Sequence, residues 1–583
     1  MACRRGRERE LPGHPAPAVA GVKGAAAALA RLEAIRFEFG PAFARERRRL
    51  LARAWRARHA RAAEVLRLHE CLVVARAYPD DAGTLALVER CLRDFSKRRD
   101  LAKHRRALES SGVEGTDTRF RFFAPTALRL AERWPERLAY DWDAWDDPSR
   151  LEEVLSLVAV HGESPGLDEY DLGVRGWLAR MKGPREGDAA FAMRRLAARV
   201  RDPFLFEKLV DGMDAPMVLA AGPGGPSRTR SKWPGAKVAF QREPLLRGRP
   251  DLRAELARPP VSVTALSRRD GERFVGMASE AMVTRERDLD AFAYADPRDV
   301  RLVDCGGGLA FACLGVLPER RLLLESVYGF LTLRNGVPTG YVLTSALFRS
   351  AEIAYNIFET NRGGEAGPVY GRVLAMTKHL FGVDSFTVYP YQLGGAGNEE
   401  GLASGAWWFY RKLGFAPRVA WARRLMRAEE AKLARDPAHR SSRRFLARIA
   451  EENVYWHEGR RRDDVIGVLP QAKVGFAVTD FLAKRFGGAG DRGAGACARE
   501  AAALLGAGPG RGWTAAERQA YERWAPLALL LPGLKRWSAG ERAALAAVMR
   551  AKGGRRESDF VRAFDAHPKL GATVAELARR TKA

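Results

Sequence analysis

Cysteine is scarce and never closely paired: six residues in 583, with no C-x-x-C. The scatter of Cys3, Cys71, Cys91, Cys305, Cys313 and Cys497 argues against a zinc ribbon, a dithiol redox motif or a secreted disulfide scaffold. It fits a reducing cytoplasm, and Cys71 and Cys91 fall in apolar helical stretches where a thiol packs as a small core residue. Long hydrophobic runs are missing too. No stretch approaches the roughly 18 apolar residues that a membrane span needs, and the best, Ala525–Leu531, is closed by Pro532. Behind the early arginines the apolar run is broken by Pro12, Pro15, Pro17 and Gly21, so residues 1–24 read as a disordered basic arm rather than a secretory signal. The sequence has no internal repeat.

What is present is globular. Hydrophobic residues make up 46% and charged residues 29%, and this length suggests about three or four domains. Lys and Arg number 98 against 71 Asp and Glu, a formal charge of +27. Such an excess first suggests an acidic partner, nucleic acid or a membrane surface; GC-rich coding, which favours Arg and Ala, is the plainer account. The excess is uneven. Residues 1–110 carry +12 and residues 421–583 carry +14, whereas 260–420 are neutral. Uniform codon bias explains that poorly. The basic flanks suit an acidic protein or nucleic acid held beside a neutral cleft.

Helical periodicity runs from about Ala25 to Arg106, with Phe37, Leu50, Leu51, Trp55, Val65 and Leu66 forming an apolar stripe. A turn at Tyr78–Asp81 separates two helices, and Asp81 suits a helix cap. Further helices are expected at Pro125–Trp134, Ser149–Val160 and Ala189–Arg201. The basic Gly/Pro loop Ala220–Lys232 lacks the G-K-[ST] ending of a P-loop and is a poor phosphate motif. The acidic run Asp141–Asp147 is explained by a capping turn as well as by a cation, and no metal is placed there.

The texture changes after Pro260. Strands are expected at Val261–Ala265, Arg301–Asp304, Leu309–Val316, Val327–Leu333, Ala351–Glu359 and Ser385–Tyr391. Helices are expected at Gly271–Met282, Gly367–Phe381 and Ala403–Leu413. Asn335-Gly336 marks a hairpin, because both residues tolerate positive φ. Beyond Trp421 the chain reads as helical to its end. The organisation is α+β: a basic arm over 1–24, a helical domain over 25–259, a mixed-sheet domain over 260–420 and a helical region over 421–583.

Chemistry concentrates in two runs. Asn356-Ile-Phe-Glu-Thr-Asn-Arg-Gly-Gly-Glu-Ala-Gly-Pro-Val-Tyr-Gly-Arg-Val-Leu374 takes a strand through a glycine-rich turn into a helix. There the first-turn amides and the helix dipole favour an anion, and Gly363 and Gly364 admit a close approach. About forty residues on comes Ala406-Trp-Trp-Phe-Tyr-Arg-Lys-Leu-Gly-Phe415. Together, and with the order strand, helices, hairpin, strand, helix, strand, helix, these resemble the GCN5-related N-acetyltransferase (GNAT) superfamily over about residues 260–420.

The resemblance implies a mixed sheet with helices on both faces and an acyl-coenzyme A, most often acetyl-coenzyme A, lying where two central strands splay. Its diphosphate would meet the backbone of the turn Arg362, Gly363, Gly364, Glu365, Ala366 and Gly367, and Ile357 and Phe358 are further candidates for binding the cofactor. Tyr410 matches the tyrosine that protonates the departing thiolate after an amine attacks the thioester directly. Glu352 and Glu359, on opposite faces of one strand, are candidates for the general base; at most one can face the cleft, and a solvated strand-end charge is the plainer account of each. Tyr355, Asn356 and Tyr391 are candidates for binding the acceptor. No metal is implied. Two departures stand out: Asn361 occupies the first place of the family's Arg/Gln-x-x-Gly-x-Gly/Ala turn, and Ala403 stands where an asparagine is expected. The alternatives are a catalytically inactive scaffold or acyl-coenzyme A sensor on the same fold, or a basic helical protein that binds nucleic acid.

Overall fold

A computed structural model describes residues 24–581, the Asp491 side chain excepted. The arm expected over 1–24, apart from Gly24, lies outside the described residues, as does Cys3. The chain folds into two compact units. One runs up to Leu245 and takes in 276–293 and 334–338; the other comprises 246–275, 294–333 and Thr339 onward. No helix among the described residues is long and apolar enough to cross a membrane.

The first unit has two hydrophobic cores. In one, helices Ala25–Ala34, Pro41–Arg56, Ala62–Ala77 and Ala82–Arg93 bury Leu29, Leu32, Leu50, Leu51, Leu68 and Leu72. Asp81 caps the fourth helix by accepting from the Thr84 amide at 2.8 Å, as its position in the turn predicted. The second core surrounds helices Ala124–Arg133 and Asp188–Arg199 and a small antiparallel sheet. That sheet comprises β1 (Thr118–Phe120), β2 (Leu138–Tyr140) and β3 (Met217–Leu219), with β3 central. The helical reading of 25–259 missed these strands, since three residues are too few to show a two-residue period.

The second unit is mixed α and β around a nine-stranded sheet. Its strands are β4 (Ser262–Ala265), β5 (Ala295–Gly306), β6 (Leu309–Val316), β7 (Ser326–Arg334), β8 (Val337–Leu347), β9 (Ser350–Ile357), β10 (Ser385–Val388), β11 (Ala416–Pro417) and β12 (Val454–His457). The order is β11-β12-β10-β9-β8-β7-β6-β5-β4. Asn335 (φ 51°) and Gly336 (φ 78°) make the β7–β8 turn, as the dipeptide predicted. Five consecutive strands, β5 to β9, run through this stretch: four cover the segments expected at Arg301–Asp304, Leu309–Val316, Val327–Leu333 and Ala351–Glu359, and β8 is the second arm of the Asn335-Gly336 hairpin. β12 lies in a stretch that read as helical and inserts between β10 and β11; only its backbone partners mark its four residues as a strand.

The C-terminal helices share the sheet's core. Phe564, from helix Glu557–Ala566, meets Phe348 edge-on at 5.2 Å between ring centres. Lys552, 4% exposed, pairs with Glu557, 1% exposed, at 2.6 Å and donates to the Leu324 carbonyl at 2.8 Å. The Tyr328 hydroxyl accepts from the Ser558 amide at 2.8 Å and donates to Asp299 at 2.6 Å. These buried polar contacts fix the helices against the strands at one register.

Candidate functional site

The sheet changes character between β9 and β10. They run parallel, with Ser350, Ala351 and Glu352 opposite Ser385, Phe386 and Thr387. β9 then continues to Ile357, still paired with β8 through Gly340. β10 stops at Val388, because Pro390 has no N–H to donate and starts the short helix Pro390–Leu393. The two strands therefore part beyond Glu352 and Thr387.

At the far end of β9 the chain makes one 3-10 turn, Glu359–Asn361, and enters helix Ala366–Phe381. Gly363 has φ 85°, which a side chain would strain. The first-turn amides of that helix have no partner within it. Asn361, in the turn before this helix, is 5% exposed, and neither its amide oxygen nor its nitrogen has a hydrogen-bond partner among the described residues. Burying such a group unpaired costs about 1–3 kcal/mol. Gly367 and Gly371 have a packing reason: added Cβ atoms would lie 3.2 Å from Pro250 and 3.0 Å from Glu255. Arg362 turns outward and pairs with Glu400. Ile357 is half-buried at the end of β9, Phe358 is buried, and Gly364, Glu365 and Ala366 lead half-buried into the helix.

The candidate acid–base residues separate. Glu352, Ala354 and Asn356 pair with Ser345, Leu343 and Tyr341 and share one face of β9. Tyr355 is on the other face, its ring 5.4 Å from that of Tyr370. Tyr355 and Asn356 thus cannot line the same face. Glu359 does not flank the strand: it is exposed in the following turn, because β9 ends two residues earlier than its sequence suggested. Tyr391 lies in the short helix after β10 and is 42% exposed. Burial, and then the carboxylate of Glu325, raise the Glu352 carboxyl to about 7.

Tyr410 sits on helix Ala406–Lys412, 3% exposed. Its ring is 5.5 Å from Tyr370, 5.1 Å from Phe409 and 6.0 Å from Phe415. Burial pushes its hydroxyl well above the usual tyrosine range. Tyr410, Tyr370 and Tyr355 belong to one aromatic cluster on the helix side of β9, and Glu352 faces away from it.

Sequence reasoning passed over three residues here. Tyr370 is fully buried, and its hydroxyl has no hydrogen-bond partner among the described residues. Tyr389, just past β10, has its hydroxyl pushed up by burial and then by Glu352 and Glu325. Glu325 immediately precedes β7. None carries a motif. Tyr370, on helix Ala366–Phe381, joins Tyr355 and Tyr410, whereas Glu325 and Tyr389 lie near Glu352; these groupings follow from the packing of separate elements. Among the described residues no cluster of three or more His, Cys, Asp or Glu is arranged to hold a metal. No protein-family model matches this chain, and neither does any curated protein or solved structure.

Proposed function

We propose that the chain is an acyl-coenzyme A-dependent N-acyltransferase of the GNAT type, in its simplest form an N-acetyltransferase. One observation carries the reading: the parallel strands β9 and β10 part beside a glycine turn in which Asn361 is buried with its amide unpaired. Such a turn offers backbone donors, a helix N-terminus and an unsatisfied amide to a diphosphate. The acyl thioester would lie between the parted strands, within reach of both faces of β9. An amine attacks its carbonyl carbon and the C–S bond breaks. Glu352, poised near neutrality, takes the amine proton, and Tyr410 gives its hydroxyl proton to the thiolate.

A second reading keeps the ligand and drops the reaction. The tight aromatic packing of Tyr410 favours it, since such a ring serves the core without any proton transfer. Titration calorimetry with acetyl-coenzyme A tests what both share; absence of saturable heat at millimolar ligand overturns them together. Given binding, release of free coenzyme A with a panel of primary amines separates them, and no release from any amine leaves the sensor.

A further inference from the structure

The loop Gly222–Pro226, in the first unit, approaches a guanidinium whose terminal nitrogens have no acceptor among the described residues. Arg137 follows helix Ala124–Arg133 and precedes β2, and its carbonyl accepts from the Ala220 amide at 2.9 Å, which ties it to the loop's start. Both its terminal nitrogens, Nη1 and Nη2, are buried without an acceptor among the described residues. The neighbouring arginines differ. Arg133 pairs with Glu280 at 2.7 Å. Arg230 pairs with Glu114 at 3.1 Å and donates to the Gly225 carbonyl at 2.6 Å, holding the loop down.

The guanidinium stands over Trp134, whose ring centre is 5.3 Å from Cζ, and two glycines of the loop approach it closely. A Cβ at Gly222 would collide with Nη1, and one at Gly225 would sit 3.2 Å from it. Gly224, at φ 71°, turns the loop between them. A guanidinium cannot shed its charge, so burying its four terminal N–H groups unpaired is among the costliest arrangements a fold can hold. A bound anion would supply the missing acceptors. The planar fork matches two oxygens of a tetrahedral oxyanion, and Arg230 adds a second positive charge nearby.

We propose that Arg137 and the loop Gly222–Pro226 form a binding site for a phosphate-type dianion, with the loop as its cover. The glycines at 222, 224 and 225 let the loop lift and let oxygens reach the guanidinium without obstruction by a Cβ. The site lies outside the GNAT-like stretch, so it stands or falls separately from the proposed acyl transfer.

Titration of the full chain with inorganic phosphate and with glycerol 2-phosphate, at constant ionic strength, tests this. Saturable heat and a rising melting temperature are expected, with Arg137→Gln weakening binding by at least about tenfold. Arg137→Lys, which keeps the charge but loses the fork, should fall between. Tighter binding of inorganic phosphate would identify a free anion as the ligand; tighter binding of the ester would identify the phosphate of a larger molecule. Gly222→Ala leaves the charge in place and should also weaken binding, which guards against misfolding of the arginine variants. No saturable heat with either phosphate, or equal affinity in wild type and Arg137→Gln, would overturn the proposal.

Discussion

Glu352 and Thr387 are the last residues at which β9 and β10 stand opposite one another. Up to that pair the sheet is continuous. Past it, β9 is held by β8 alone, and β10 is already turning into the helix that begins at Pro390. A half-buried carboxyl thus stands where the sheet opens, and its environment holds it near neutrality.

Glu352 predicts a distinctive pH dependence of stability. Its carboxyl titrates near 7 when folded, above the unfolded value of about 4.3. Between those values the folded state binds more protons, so stability falls as pH rises from about 4.5 to 7 and then levels. Glu352→Gln should flatten that fall and stabilise the chain above pH 7, by on the order of 1–3 kcal/mol. Urea denaturation at pH 5, 6, 7 and 8 measures it; identical profiles for the two proteins would show that Glu352 is solvated.

Tyr410→Phe keeps the ring in its aromatic cluster. The variant should fold with an unchanged melting temperature and bind acetyl-coenzyme A within about twofold of wild type. Release of coenzyme A should slow at least about tenfold, because the loss is confined to proton transfer. Unchanged turnover would assign Tyr410 to packing.

Asn361 makes a prediction of opposite sign for stability and binding. Its amide has no partner, so Asn361→Leu should not destabilise the fold and should raise its melting temperature slightly. The same change should weaken acetyl-coenzyme A. Gly363→Ala, by contrast, should cost roughly 1 kcal/mol through its positive φ alone. A loss of stability in Asn361→Leu comparable to that of Gly363→Ala would mean that the amide is satisfied.

Lys552 and Glu557 form a buried pair at 2.6 Å, and removing Lys552 leaves the Glu557 carboxylate only the longer contact to Arg321 at 3.8 Å. Lys552→Met should destabilise the second unit by about 3–5 kcal/mol, and adding Glu557→Leu should recover most of that loss. Denaturant unfolding of the single and double variants checks this. A double variant no better than the single would give the two residues independent roles.

Several features were legible without coordinates. Asn335-Gly336 required positive φ at two successive positions, and a hairpin followed. Asp81, after a Pro-Asp turn and before an apolar stripe, had a helix to cap. β6 was read with its observed ends, Leu309 and Val316, because its apolar run is long and ends at a proline soon after. The ends of β9 and β10 were each placed too late, since Glu359 and Tyr391 extend the composition of a strand but leave the ladder. β12 is hard to see for a different reason: Val454-Tyr-Trp-His457 has strand-favouring residues, but four residues between helices are too few to show a two-residue period.

The sequence by itself determined the local events: where the chain turns, which helices are capped, and that a glycine-rich junction joins a strand to the helix containing Tyr370. Each follows from the dihedral freedom or hydrogen-bonding capacity of residues a few places apart. Which groups share an environment came from the packing of distant elements. That packing set Glu352 near Glu325 and Tyr389, moved Tyr410 and Tyr355 to the face of β9 opposite Glu352, and left the Asn361 amide and the Arg137 terminal nitrogens buried without hydrogen-bond partners among the described residues. Those are effects of strand register, burial and long-range electrostatics. They depend on residues tens of positions apart, which no local pattern encodes.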